Sequence, residues 1–152
     1  MQRASEIAAA GTWSGAACDR AVLDYDGRHR RRTTLMCTSG REVLLDLAAA
    51  VQLRHGDALV LDEGGLIEVH AACEPLLELR TKSAASLTRL AWHLGNRHVA
   101  AELADAALRI RPDHVLAELA RRLGATVIEV EAPFDPEPGA YSAHVHAAVL
   151  RP

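Results

Sequence analysis

Residues 76–98 read LLELRTKSAASLTRLAWHLGNRH, and the change of rhythm inside them decides the fold. Leu76 to Arg80 is a short apolar run of strand length, whereas Leu87, Leu90, Ala91 and Leu94 recur at the spacing of one helical face. Ser83 is placed to cap the helix at its start, and the sequence predicts a helix over 84–94. Gly95 is expected to end it by taking the left-handed conformation that other residues adopt at a cost. Two imidazoles flank that stop. His93 falls about 100° from the Leu87/Leu94 line, at the edge of the apolar stripe, and His98 lies past the cap, directed away from the helix's own core.

Downstream, apolar stretches around 99–103 and 107–110 precede a second helix. Pro112 is expected as its first helical residue, Val115, Leu116, Leu119 and Leu123 as its buried face, and Gly124 as its end. A last strand follows at 126–130. The order βαββαβ is that of a ferredoxin-like domain. Pro133, Pro136 and Pro138 then remove donors and restrict their neighbours, so 132–139 should leave the ladder as an ordered loop or arm. It leads to a flexible tail, 141–152, carrying His144-x-His146.

Upstream of residue 73 the chain reads as short strands broken by turn signals. Thr33 to Cys37 precedes the Ser39-Gly40 turn, Val43 to Leu47 precedes His55-Gly56-Asp57, and Ala58 to Leu61 precedes Gly64-Gly65 and Leu66 to Val69. The expected organisation is α+β: a small all-β domain over 1–72, a ferredoxin-like domain over 73–140, and the tail 141–152.

With 152 residues, 49% of them apolar, the chain can bury a core for one ordinary domain or two small ones; with 3% aromatics, that core must be aliphatic. The net charge of −3 is spread over both halves, eight basic and ten acidic residues in 1–72 against nine and ten in the rest. Neither half has the charge of a polyanion binder. Cys18, Cys37 and Cys73 are odd in number and widely spaced, which argues against a disulfide framework and a zinc knuckle alike. No charged leader and no bilayer-length apolar run is visible, so a cytoplasmic protein that binds neither membrane nor nucleic acid is expected.

The runs AWHLGNRHVAAEL, LRIRPDHVLAELARRLGATV and EAPFDPEPGAY, in that order, resemble the UreE family of urease accessory proteins, the nickel chaperones of urease maturation. The resemblance is specific from about Leu87 to Tyr141 and looser over GREVLLDLAAAVQLRHGDALVLDEGGLIEVHAA upstream. It implies the same two-domain plan, and a homodimer joined through the C-terminal domains with Ni²⁺ between paired His98 residues. His93 and His114 correspond to accessory histidines of some relatives. The partners it implies are the urease-maturation GTPase and, beyond it, apo-urease. Many relatives end in a long histidine-rich tail, whereas this chain keeps His144 and His146.

The residues themselves agree in part. A metal ligand must present a neutral imidazole. His114, in the first turn of its helix, meets the positive dipole end that disfavours imidazolium, whereas His93, in a last turn, meets the end that favours it. One His98 per chain cannot satisfy Ni²⁺, but a two-fold axis doubles the count, and His144 or His146 would complete the sphere. By the affinity order for divalent ions, Zn²⁺ or Cu²⁺ can occupy such a site in vitro. His29, His55 and His70 read as solvated or core-satisfied. The cluster Arg28 to Arg32 is open between contact with an acidic partner and a charged strand edge guarded against aggregation. Two other functions stay open from the residues alone: a protein-interaction module without metal, and a ferredoxin-like acyl-phosphate hydrolase using Asn96-Arg97. No phosphate loop or nucleophile set supports the enzyme.

Overall fold

The computed structural model describes residues 1–139, which form two compact units, 1–72 and 73–138. The tail histidines His144 and His146 lie outside the described residues.

The first unit is one six-stranded sheet built from β1 (Gln2–Ala8), β2 (Asp19–Leu23), β3 (His29–Met36), β4 (Glu42–Gln52), β5 (Ala58–Leu61) and β6 (Leu66–Ala71). Their spatial order is β2-β6-β5-β1-β4-β3. Alternation does its expected work: Val43, Leu45 and Leu47 of β4 and Ile67, Val69 and Ala71 of β6 are all buried, with less buried residues between them. The β3–β4 and β5–β6 connections are the hairpins read from the glycine turns, Gly40 and Gly64 both having positive φ. Two features are not hairpins: β1 pairs with β4, and β2 with β6, in parallel. These pairings join strands far apart in the chain. The sequence pattern also leaves β1 and β2 unmarked.

Arg28 corrects the picture of an arginine cluster at the surface. Its side chain is fully buried beneath the short 3₁₀ turn 26–28, where Nη1 donates to the Leu53 carbonyl at 3.1 Å. The remaining arginines, Arg30 to Arg32, lie on β3, an edge strand. His29 is exposed at the start of β3. His55 Nδ1 accepts the Ala71 N–H at 3.2 Å, and the His55 and His70 rings meet edge to face with centroids 5.1 Å apart.

The second unit comprises β7 (Cys73–Arg80), α1 (Ala84–Asn96), β8 (Glu102–Ala104), β9 (Ala107–Ile110), α2 (His114–Arg122) and β10 (Thr126–Pro133). All pairings are antiparallel, in the order β10-β7-β9-β8, which is the ferredoxin-like arrangement. Leu77 and Leu79 of β7, Leu108 and Ile110 of β9, Leu90 and Leu94 of α1, and Ala117 and Ala120 of α2 form one core. On α2 the small Ala117 and Ala120 sit deepest, while Val115, expected inside, is 62% exposed. Alanine at the contact lets the short helix lie close to the sheet.

The other sheet face is covered differently. Glu78, Arg109 and Glu102 alternate with the core residues and form a charged row: Arg109 Nε lies 2.9 Å from Glu78 Oε2, and its Nη1 lies 3.3 Å from Glu102 Oε1. Arg80 Nη2 lies 2.5 Å from Glu78 Oε1. Contrary to the expectation of a break before residue 132, β10 continues through Pro133, which pairs with Cys73. β10 is an edge strand, the place in a sheet where proline is tolerated. Residues 134–138 then cross to the opposite edge, with Phe134 fully buried, Asp135 N–H on Glu102 Oε2 at 2.7 Å and Glu137 N–H on the Ala101 carbonyl at 2.8 Å.

Candidate functional site

Ser83 caps α1 as its sequence suggests, its hydroxyl accepting the Ser86 N–H. The other end differs from expectation. Gly95 stays helical, the helix runs on to Asn96, and the left-handed residue is His98, with φ of +56°. His98 N–H donates to the Gly95 carbonyl at 3.0 Å and Val99 N–H to the Leu94 carbonyl at 3.2 Å. This double bond pattern is the Schellman motif, in which the left-handed position is ordinarily glycine. α2 ends in the same way with the usual residue: Gly124, φ +85°, donates to Arg121, and Ala125 donates to Ala120. One helix of this domain therefore places a glycine at the stop and the other a histidine. Non-glycine residues held in the left-handed region concentrate at sites where a side chain has a task.

The second helix begins at His114, with Asp113 rather than Pro112 at its threshold. Asp113 Oδ1 accepts the N–H groups of Val115 at 2.9 Å and Leu116 at 3.0 Å, satisfying two otherwise orphaned donors. Pro112 stands just outside the helix.

These two helix ends line one open cleft of about 480 Å³, bounded by His98, Val99, Ala100, Arg111, Pro112, Asp113 and Leu116. His98 thus meets the approach to α2 from a position 16 residues away in the chain from His114. His93 does not line the cleft. It is half-buried on α1, its ring edge to face with Trp92 at 5.1 Å and its carbonyl accepting from Arg97 Nη1 at 3.0 Å. His114, exposed at the first position of α2, adjoins the lining residue Asp113 without being part of the lining. Among the described residues no group of three His, Cys, Asp or Glu side chains is placed to hold a metal ion.

Sequence reasoning overlooked Arg111 and Asp113. Asp113 was legible: an acidic residue after proline and before an apolar period is an N-cap signal. Arg111 carried no local signal, since only the fold brings it beside His98. Elsewhere in the unit, Glu78 is held below the usual carboxylate range by hydrogen bonds from Arg109 and Arg80, against the opposing effect of its burial.

A βαββαβ domain with a histidine-bearing cleft, following an all-β unit in the chain, defines a two-domain α+β protein. The N-terminal domain model of the UreE urease accessory protein matches residues 2–72, and its C-terminal domain model matches residues 74–149. The urease accessory protein UreE of Rhodopseudomonas palustris strain BisB18 is 53% identical over 152 residues, covering 97% of this chain and 72% of that protein. Its namesake from Bradyrhizobium sp. strain ORS 278 is 54% identical over 147 residues, covering 97% and 70%, and that of Rhodobacter capsulatus is 46% identical over 158 residues, covering 97% and 98%. The chain belongs to the UreE family, and its role lies in urease maturation. No helix among the described residues is long and apolar enough to cross a membrane.

Proposed function

We propose that this chain is a nickel metallochaperone, not an enzyme, which works in the cytoplasm as a homodimer and passes Ni²⁺ through the urease-maturation GTPase toward apo-urease. The observation that carries the reading is His98. A family member places an exposed histidine where its fold favours glycine, at the rim of an open cleft. Backbone strain of that kind is retained when the side chain is needed.

One imidazole is too few for Ni²⁺, and a two-fold axis close to His98 supplies a second. Three large apolar side chains of the same unit, Trp92, Leu103 and Val115, are 58–64% exposed, which supports a surface that a partner subunit covers. His93 on α1 and His114, next in the chain to the lining residue Asp113, serve as accessory sites. His144 and His146, which lie outside the described residues, complete the sphere in this reading. A site of few nitrogen ligands, open to solvent, suits a protein that must release its cargo. Acid frees the metal by protonating those ligands. Cu²⁺ and Zn²⁺ compete in vitro, so nickel selectivity rests on metal supply and partners.

Equilibrium dialysis of the full chain against Ni²⁺ tests this. His98→Ala should lose the tightest site, and a variant that keeps wild-type stoichiometry and affinity would refute the assignment. Removing residues 142–152 should weaken binding while the dimer, followed by sedimentation, persists.

A further inference from the structure

The basic run of the first unit finds few acids to meet. Between Asp26 and Glu42 the sequence holds five arginines and no acidic residue. Arg28 is buried and Arg41 follows the Gly40 turn, which leaves Arg30, Arg31 and Arg32 together on β3. Arg32 has Asp46 at 3.8 Å, a carboxylate that Arg3 holds more closely at 3.1 Å. Arg30 Nη1 donates to the neighbouring His29 carbonyl at 2.9 Å. Arg31 is exposed, and its guanidinium makes no hydrogen bond or ion pair among the described residues. The backbone beside these side chains is open as well. β3 stands at the end of the sheet and pairs with β4 alone, with a break in register between Arg30 and Arg32. Residues 29–36 make no backbone hydrogen bond to any other element among the described residues. The opposite edge is engaged: on β2 the Arg20 carbonyl accepts the Thr38 N–H at 2.9 Å, and the Asp19 carboxylate holds Thr38 and Ser39. An edge with unpaired N–H and C=O groups is a template for a further strand.

We propose that β3 takes up an acidic, extended segment of a partner protein as an added strand. Main-chain hydrogen bonds to the open edge supply affinity, and carboxylates meeting Arg30, Arg31 and Arg32 supply the choice of partner. A second copy of this chain does not fit the same edge, because antiparallel pairing of two β3 strands sets arginine against arginine, and like charges directly opposite each other are destabilising. The arginines thus act in both directions, rejecting self-association while admitting an acidic strand. A nucleic acid fits less well: its backbone has no amide donors for the carbonyls of β3, and the strand carries no aromatic side chain on which a base could stack. Because side chains alternate along a strand, the partner presents aspartate or glutamate at every second position of the segment. The metal chemistry proposed for the second unit does not enter, so either reading can fail without the other.

The test titrates the full chain into a fluorescein-labelled peptide of alternating glutamate and threonine, eight residues long to match β3, and follows anisotropy at low salt. The counterpart of alternating lysine and threonine should bind about tenfold more weakly or worse. A copy of the acidic peptide methylated at its backbone nitrogens keeps the carboxylates but loses the main-chain donors, and should also weaken by about tenfold. Arg31→Gln, a single change at an exposed side chain, should weaken binding about threefold, and Arg30→Glu, Arg31→Glu and Arg32→Glu combined about tenfold or more. Amide exchange read by NMR should slow within residues 29–36 of the wild type when the acidic peptide is added. Absence of binding, equal binding of the methylated and unmethylated peptides, or protection confined to other strands overturns the proposal. So does tighter binding of duplex DNA or of anionic phospholipid vesicles that the combined variant abolishes, since the edge would then serve a different class of partner.

Discussion

Replacing His98 by glycine should make the metal-free protein more stable while removing its tightest metal site. The left-handed conformation costs an L-residue roughly 1–2 kcal/mol, with histidine toward the lower end. Glycine avoids that cost but gives back about 0.5 kcal/mol through the greater freedom of the unfolded chain. The net expectation for His98→Gly is about 0.5–1 kcal/mol of added stability, or roughly 2–8 °C in the melting of a domain this size. α2 provides the internal control, because the same motif there holds Gly124 at φ +85°, where an added side-chain carbon would meet open space. Gly124→Ala should cost about 1 kcal/mol, with no steric clash to confuse the result. His98→Ala keeps the strained backbone and should melt close to wild type. Calorimetry of metal-free protein at one fixed concentration compares all four chains, and paired dialysis against Ni²⁺ records the functional loss. A glycine variant that melts at or below the wild type would show that the imidazole supports the fold, and strain at His98 would no longer point to function.

The cap of α2 gives a second expectation: Asp113→Ala should destabilise the ferredoxin-like domain by about 1 kcal/mol in denaturant titrations, whereas Asp113→Asn, which can still accept from Val115 and Leu116, should cost little. Glu78→Gln should cost about 2 kcal/mol, because Arg109 and Arg80 lose a charged partner in a half-covered site. Since the carboxyl of Glu78 titrates below its ordinary range, its contribution is present at neutral pH and is lost as pH falls below the usual carboxylate range, so urea midpoints of wild type and variant should converge in acid. In the first unit, Asp19 is lowered from 3.8 to about 2, chiefly by the Ser39 hydroxyl and then by the Arg20 N–H and Thr38. Its stabilising effect is complete above the unfolded value and disappears as pH drops through about 2; Asp19→Asn should flatten the acid limb of that unit's stability profile, and an unchanged limb would rule out this carboxylate as its origin.

The sequence by itself determined the order of elements in the second unit, because Leu87, Leu90 and Leu94 impose a helical period, Ser83 caps it, and β-strand runs stand on either side. It marked His98 as the residue to examine, and glycine turns located two hairpins of the first unit. What lies beyond local pattern was decided by tertiary structure. The parallel pairings β1–β4 and β2–β6 join strands 40 or more residues apart, and no turn signal records them. Arg28 reads as surface in a run of arginines but is buried because Leu53 offers a carbonyl from another part of the chain. Gly95 reads as the stop of α1, yet it stays helical and His98, at φ +56°, closes the motif. The same long-range folding brings Arg111 and Asp113 into one cleft with that histidine. Periodicity and capping act over a few residues and are written in the chain, whereas the cleft itself arises only when two helix ends distant in sequence are brought together by the core they share.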